Sequence, residues 1–152
     1  MKLLPPSKGE TLWGRSAKLV TSKGKSSFFL TRFLSSGETP TAEVKQECML
    51  RFDIRTKSNE PCVIAFREQD LGWLAIQVTG KGGLPEAAKE VGALGSVSDG
   101  AWHEEKIDVK AILDKESGKT GPYTIGDILI GNFSGDANPA EYELREVVLR
   151  RR

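Results

Sequence analysis

Apolar and polar residues alternate with a period of two along the middle of the chain. Over positions 47–56, every second residue is apolar, namely Cys48, Leu50, Phe52 and Ile54. This alternation is typical of a strand that packs one face on a core and turns the other to water. Positions 62–67 and 73–79 alternate in the same way. The pattern therefore predicts three consecutive strands, which we interpret as an antiparallel meander.

Shorter apolar segments on both sides of this region are separated by Gly, Pro, Ser and Asp, which favour turns. They predict further strands at 17–20, 27–34, 102–109, 125–133 and 142–150. Eight strands in 152 residues is the spacing of a β-sandwich. Helical pattern is limited to 85–91 and to 109–116, where Asp108 is a candidate N-cap. We predict an all-β fold, an antiparallel β-sandwich of jelly-roll type, with about eight strands and one or two short helical insertions.

Length and charge limit the class of protein. The 152 residues fit one domain, predicted to span 1–152, and 22 Lys+Arg against 21 Asp+Glu leave a formal charge of +1. A near-neutral chain argues against a nucleic-acid partner, which usually needs a basic stripe. No apolar run approaches the ~20 residues of a membrane span. Prolines at 5 and 6 interrupt any signal-peptide pattern, so we expect either a cytoplasmic protein or a piece of a longer secreted one.

The two cysteines, Cys48 and Cys62, have two interpretations. A disulfide between them would stabilise the fold by about 3 kcal/mol. If their strands form one hairpin with its turn at 57–61, the two residues lie roughly 20 Å apart along the strands. The hairpin therefore favours two buried thiols.

Three segments in the last third of the chain carry a resemblance to a known group of domains. Positions 99–103 read Asp-Gly-Ala-Trp-His, 107–109 read Ile-Asp-Val, and 125–133 read Ile-Gly-Asp-Ile-Leu-Ile-Gly-Asn-Phe. In order and spacing over 99–149, the chain resembles the jelly-roll, galactose-binding-like and carbohydrate-binding-module domains appended to bacterial glycan-degrading enzymes. The resemblance implies a sandwich that binds glycan, is fused to a glycan-active enzyme and is extracellular or at the cell surface. It also implies that Trp102 is packed in the interior.

The resemblance also raises the question of a structural calcium, although it implies no required cofactor. In many such domains an acidic residue of the closing strand helps to hold this ion. Here the strand reads Tyr-Glu-Leu-Arg-Glu-Val at 142–147, so that Arg145 occupies the position of the first acid. A cation beside a hard dication is unfavourable. Glu146 is left as the candidate calcium ligand.

Sugar binding needs an aromatic face for the apolar side of the pyranose and planar polar groups for its hydroxyls. If the three central strands form one sheet, their outward residues supply both on one surface. We predict a ligand-binding face made of Trp73, Arg51, Asp53, Arg55, Arg67 and Gln77. The alternative is that these charges form cross-strand pairs and that Trp73 covers a sheet edge.

Catalysis is not predicted. A glycosidase needs two carboxyl groups about 5–9 Å apart. Glu104 and Glu105 are adjacent on a strand and point to opposite faces, whereas Glu141 and Glu143 share a face at a spacing of ~7 Å. We predict a non-catalytic carbohydrate-binding module, with an anionic polysaccharide as one option for its ligand. The alternatives are a protein-interaction sandwich and a small polysaccharide lyase or glycoside hydrolase.

Overall fold

The computed structural model describes residues 9–13, 16–33, 41–135 and 137–152, and the side chains from residue 16 onward. Twelve strands and one helix lie within these ranges. They are β1 (Gly9–Trp13), β2 (Ala17–Val20), β3 (Ser26–Phe29), β4 (Thr41–Val44), β5 (Cys48–Arg55), β6 (Cys62–Glu68), β7 (Gly72–Thr79), β8 (Lys89–Ala93), β9 (His103–Asp108), α1 (Val109–Ser117), β10 (Tyr123–Gly126), β11 (Leu129–Asn132) and β12 (Glu141–Arg151).

The strands form two sheets. In the five-stranded sheet, β5 lies between β12 and β9, while β1 and β2 both pair with the other edge of β12. In the seven-stranded sheet, β6 pairs with β7 on one side and with β10 and β11 on the other, and β4, β3 and β8 extend the sheet outward. All these pairs are antiparallel except β7 with β8, which is parallel. The predicted all-β sandwich is confirmed.

The hydrophobic core lies between the two sheets. Leu50, Phe52 and Ile54 of β5 form one buried cluster with residues such as Ile64 and Phe66 of β6. Every second residue of β5 is fully buried, as the alternation predicts. The burial of these side chains contributes roughly 1.5–3 kcal/mol each.

The predicted meander is wrong at its first connection. β5 belongs to the five-stranded sheet and β6 to the seven-stranded sheet, so residues 56–61 cross from one sheet to the other. The pairing of β6 with β7 is confirmed, from Cys62 with Thr79 to Glu68 with Gly72. Alternation reports that a strand has one buried face, but it does not report which strand lies beside it.

One of the two predicted helices is confirmed. In α1, the Asp108 side chain accepts a hydrogen bond from the Ala111 N–H at 2.9 Å, and Gly118, with φ +69°, ends the helix. The helix predicted at 85–91 is wrong, since β8 begins at Lys89 and pairs with β7. The strand predicted at 125–133 is interrupted at 127–128, where Asp127 accepts a hydrogen bond from the Phe33 N–H.

Cys48 and Cys62 are both buried thiols. They lie on strands of different sheets. The hairpin from which we predicted two separate thiols is therefore absent, although the thiols themselves are present. Burial raises the pKa of the Cys62 thiol to about 12, which keeps it protonated near neutral pH. Among the described residues, no helix is long and apolar enough to cross a membrane.

Candidate functional site

The outer face of the five-stranded sheet carries an alternating array of charges. Arg55 and Glu143 are cross-strand neighbours, and Arg55 Nη2 lies 2.8 Å from Glu143 Oε2. One pair further along the strands, Arg145 Nε lies 3.0 Å from Asp53 Oδ2. Each cation therefore meets a carboxylate on the adjacent strand. We call this surface, formed by Arg51, Asp53, Arg55, Trp102, Glu104, Glu141, Glu143 and Arg145, the open face.

Two carboxylates of the open face lie directly opposite each other, since Asp53 of β5 pairs with Glu104 of β9. Such a like-charged pair is destabilising by itself. Arg145 neutralises Asp53, and Arg51 Nη2 lies 2.6 Å from Glu104 Oε2. The hydrogen bond from Arg51 lowers the pKa of Glu104. The two arginines therefore offset the repulsion between these carboxylates on neighbouring strands.

Trp102 lies over this charged array. The guanidinium carbon of Arg145 is 3.9 Å from the centroid of the indole, and that of Arg55 is 4.7 Å from it. Both contacts are cation–π interactions. Trp102 is partly exposed and lies outside the buried core clusters, so the interior position implied by the resemblance is wrong. The structure instead gives the open face an aromatic side chain.

The segment that carries Trp102 is fixed by Asp99. Its Oδ1 atom accepts hydrogen bonds from the Ala101 N–H at 2.9 Å and from His103 Nε2 at 2.7 Å. The hydrogen bond from His103 lowers the pKa of Asp99. Gly100 N–H donates to the Thr56 carbonyl at 2.9 Å, which ties the same turn to the end of β5. These bonds hold both sides of Trp102 in place.

A cleft of about 450 Å³ lies at one end of the open face. Its lining residues are two glutamates, an arginine, a lysine, a serine and a glycine. The lining residues are Arg55, Lys57, Ser58, Gly100, Glu141 and Glu143. The cleft thus combines hydrogen-bond donors and acceptors next to an indole.

The outer face of the seven-stranded sheet is different, and we call it the covered face. Val63, Ala65 and Ala75 are fully buried there, although they point away from the main core. Trp73, Leu84 and Phe133 pack over them. The Trp73 ring contacts Phe133 with a centroid distance of 6.5 Å and an interplanar angle of 41°. Trp73 is therefore part of a second, smaller apolar cluster.

Gln77 lies on the covered face and is only 7% exposed. Its amide nitrogen donates to three backbone carbonyls, those of Thr79 at 2.8 Å, Gly82 at 3.0 Å and Cys62 at 3.3 Å. A side chain whose donors are bound in this way fastens the segment after β7 and is not free for a ligand. The prediction that Gln77 points into solvent is wrong.

The six predicted ligand-binding residues therefore do not share one surface. Arg51, Asp53 and Arg55 lie on the open face, whereas Arg67, Trp73 and Gln77 lie on the seven-stranded sheet, with Arg67 exposed opposite Trp73. The error follows from the meander, because only a shared sheet would place both sets side by side. Trp102, Lys57 and Glu143 were not in the predicted set, although the structure places them around Arg55. Glu143 had a signal in the sequence, since it shares a strand face with Glu141.

The described residues contain no group of three or more His, Cys, Asp or Glu side chains placed to hold a metal ion. Glu146, the candidate calcium ligand, is exposed and has φ +54°. It lies at an irregularity of β12, between Arg145 and Val148, where the pairing with β5 shifts register. Calcium binding at Glu146 stays a prediction.

No protein-family model and no curated protein matches the chain. Among solved structures, the chain is similar to the xyloglucanase domain of NopAA, a type three effector from Sinorhizobium fredii, solved in complex with cellobiose. The alignment covers 99% of this chain and 91% of that chain, with 13% identity and a TM-score of 0.44. A likeness this distant supports no argument about the site. The fold and side chains themselves define a β-sandwich with one charged, aromatic open face and one covered face.

Proposed function

We propose that the protein is a non-catalytic carbohydrate-binding module that holds glycan on its open face. The observation that carries this proposal is the position of Trp102, a partly exposed indole on two ordered guanidinium groups beside a polar cleft. A pyranose offers one apolar C–H face, which suits an indole, and a rim of hydroxyls, which suits carboxylate and guanidinium groups. Trp102 takes the stacking role that the sequence assigned to Trp73.

The polar groups of the open face are ordered before any ligand arrives. Arg55 is fixed by Glu143 and by the Trp102 ring, while Asp53 is fixed by Arg145. Ordering side chains on binding costs roughly 0.5–1.5 kcal/mol for each flexible residue. A face that is already ordered avoids much of this cost. Arg55 and Asp53 therefore bind hydroxyls in this proposal, and Arg51 extends the contact along β5.

The same geometry favours binding over hydrolysis. Glu141 and Glu143 both line the cleft, so a pair of carboxylates is present. Both lie close to a cation, an arrangement that suits groups which accept hydrogen bonds. Glu143 forms an ion pair with Arg55 at 2.8 Å, and Glu141 lies 3.8 Å from Lys18. We propose that these carboxylates accept hydrogen bonds from sugar hydroxyls. In this proposal the module belongs to a larger glycan-active protein, which lies outside the cell or on its surface.

The test begins with a panel of neutral and acidic polysaccharides, followed by calorimetry on the best ligand. Replacing Trp102 by Ala should weaken binding about 10-fold. Stacking on an aromatic ring is worth roughly 0.5–1.5 kcal/mol beyond the area that it buries. Trp73→Ala is the matched control and should bind as tightly as the wild type. The proposal fails if no glycan binds, or if Trp73 and not Trp102 proves necessary.

Two outcomes would point to the other classes. Release of reducing ends from a bound polysaccharide would make the protein a hydrolase, and release of unsaturated ends would make it a lyase. A dimer that forms with increasing concentration in sedimentation, together with an empty glycan panel, would favour a protein-interaction sandwich. Each of these results would overturn the proposal of non-catalytic sugar binding.

A further inference from the structure

Lys57 lies at the end of β5 and is anchored on both sides. The Thr56 hydroxyl donates to the Glu141 carbonyl at 2.7 Å and accepts from the Ser58 N–H at 3.0 Å. The Ser98 hydroxyl donates to the Ser58 carbonyl at 2.7 Å. The backbone that carries Lys57 is therefore held in place although its side chain is exposed.

The stem of Lys57 is positioned by a glycine. A Cβ atom at Gly100 would lie 2.9 Å from Lys57 Cε and 3.2 Å from Lys57 Cγ, closer than carbon atoms normally approach. Gly100 also has φ +80°, a conformation that residues with a side chain rarely adopt. The absent side chain thus leaves a groove in which the aliphatic stem lies, as long charged side chains often do on a protein surface. Lys57, with its stem along this glycine, is one of the residues that line the cleft.

Of the two cations that line the cleft, Lys57 is the one without a carboxylate partner in the described part of the chain. Arg55 is paired with Glu143, and the other lining carboxylate, Glu141, has Lys18 as its nearest cation at 3.8 Å. Lys57 has no ion-pair partner among the described residues. Two cations and two carboxylates line the cleft, and with Glu143 paired to Arg55 and Glu141 close to Lys18, the Lys57 ammonium is the charge left without a partner within the described ranges. The unpaired charge is an ammonium at a concave site, where the electrostatic field is focused more strongly than on a flat surface.

We infer that Lys57 is a specificity-determining residue that binds an oxyanion substituent of the glycan, a carboxylate or a sulfate. The inference rests on the proposed function, since Lys57 would contact a sugar held on the open face. An ammonium–oxyanion contact is a charge-assisted hydrogen bond, about twice as strong as a neutral one. Glu141 lies in the same cleft and would repel an oxyanion. Its pairing with Lys18 at 3.8 Å reduces this repulsion.

The experiment compares two matched pairs of ligands by calorimetry. One pair is an oligogalacturonate and its carboxyl-reduced neutral form, and the other is a sulfated polysaccharide and its desulfated form. The wild type should bind the acidic member of at least one pair about 5-fold to 10-fold more tightly at low salt. This preference should shrink at 1 M NaCl, where the Debye length falls to about 3 Å. The pair that shows the preference identifies the substituent.

Variants of the cleft then assign the preference to its residues. Lys57→Gln should abolish the preference, measured as the ratio of the acidic-ligand affinity to the neutral-ligand affinity, while Lys57→Arg should keep it. Glu141→Gln removes the opposing charge and should raise the ratio of the acidic-ligand affinity to the neutral-ligand affinity. Thermal unfolding of each variant shows whether it is folded.

The outcomes separate the two proposals. Equal binding of acidic and neutral ligands by the wild type would overturn the role of Lys57 and leave carbohydrate binding intact. Equal weakening of both ligands by Lys57→Gln would also overturn it, because Lys57 would then contact the sugar and not its substituent. Failure of all four ligands and of the polysaccharide panel would overturn the proposed function itself.

Discussion

The two outer faces of this sandwich are built from strands of similar pattern but have different roles. On the open face, Arg51, Asp53 and Arg55 of β5 reach solvent and form ion pairs or ring contacts. On the covered face, the corresponding positions Val63 and Ala65 of β6 are fully buried. The difference teaches that the outward side of a strand is not always its solvent side.

The cover over β6 comes from two segments far apart in the sequence. Leu84 belongs to the segment that follows β7, and Phe133 follows β11. The Phe133 N–H donates to the Gly83 carbonyl at 2.8 Å, which joins the two segments to each other. The open face has no such cover over β5 in the described residues, apart from Trp102. Exposure to solvent is therefore a property of the open face among the described residues.

The largest effect is expected from a charge placed under the cover. Ala65→Asp would bury a carboxylate beside Val63 and Ala75, and should destabilise the fold by about 3–5 kcal/mol in urea unfolding. Val148→Asp is the matched control on the five-stranded sheet, where Arg51 is the cross-strand neighbour, and should cost about 1 kcal/mol or less. Equal stability of the two variants would show that the covered face is open to water.

A smaller effect separates the two tryptophans. Trp73→Ala removes a ring from the second apolar cluster and should lower the free energy of unfolding by about 2 kcal/mol without weakening glycan binding. Trp102→Ala should do the reverse, with a change in stability of about 1 kcal/mol or less. Calorimetry of glycan binding and urea unfolding of both variants test these opposite effects. If Trp73→Ala leaves the unfolding curve unchanged, the second cluster does not stabilise the fold.

The smallest effect is the pH dependence of the open face. The pKa of Glu104 is lowered by Arg51, so the unfolded chain takes up this proton at a higher pH than the folded protein. The stabilisation is present above the unfolded value of about 4.3 and is lost as pH falls through the folded value. Glu104→Gln should therefore lose less stability than the wild type between pH 5 and pH 3 in urea unfolding. Arg51→Gln should show the same shallower loss, and a wild-type slope in that variant would exclude the pair as its cause.

Local signals in the sequence identified most of the strands and one helix. The bounds predicted for β2, β5 and β7 agree with the structure to within two residues, because each is an apolar or alternating segment between turn residues. Asp108 and Gly118 mark the ends of α1 by cap chemistry that depends only on nearby backbone. The helix predicted at 85–91 is wrong because its Ala and charged residues favour a helix only locally. The last residues of this segment pair with β7, and this tertiary contact makes them part of a strand.

The candidate site was predicted only in part. The outward direction of Arg51, Asp53 and Arg55 follows from strand geometry, which the sequence displays. Their neighbours Glu143 and Arg145 come from β12, some 90 residues further along the chain. Trp102 joins them because β9 pairs with the other edge of β5. No local pattern contains these pairings.

The sequence by itself determined the class of fold, the buried side of most strands and the N-cap of the helix. Those features depend on contacts between residues a few positions apart, so their period and chemistry are visible in the chain. Only the tertiary structure decided which strands share a sheet, which face is covered and which indole lies over the arginines. Those features depend on pairing between distant segments. Many strand arrangements satisfy the same alternation, and the packing of the whole core selects one of them.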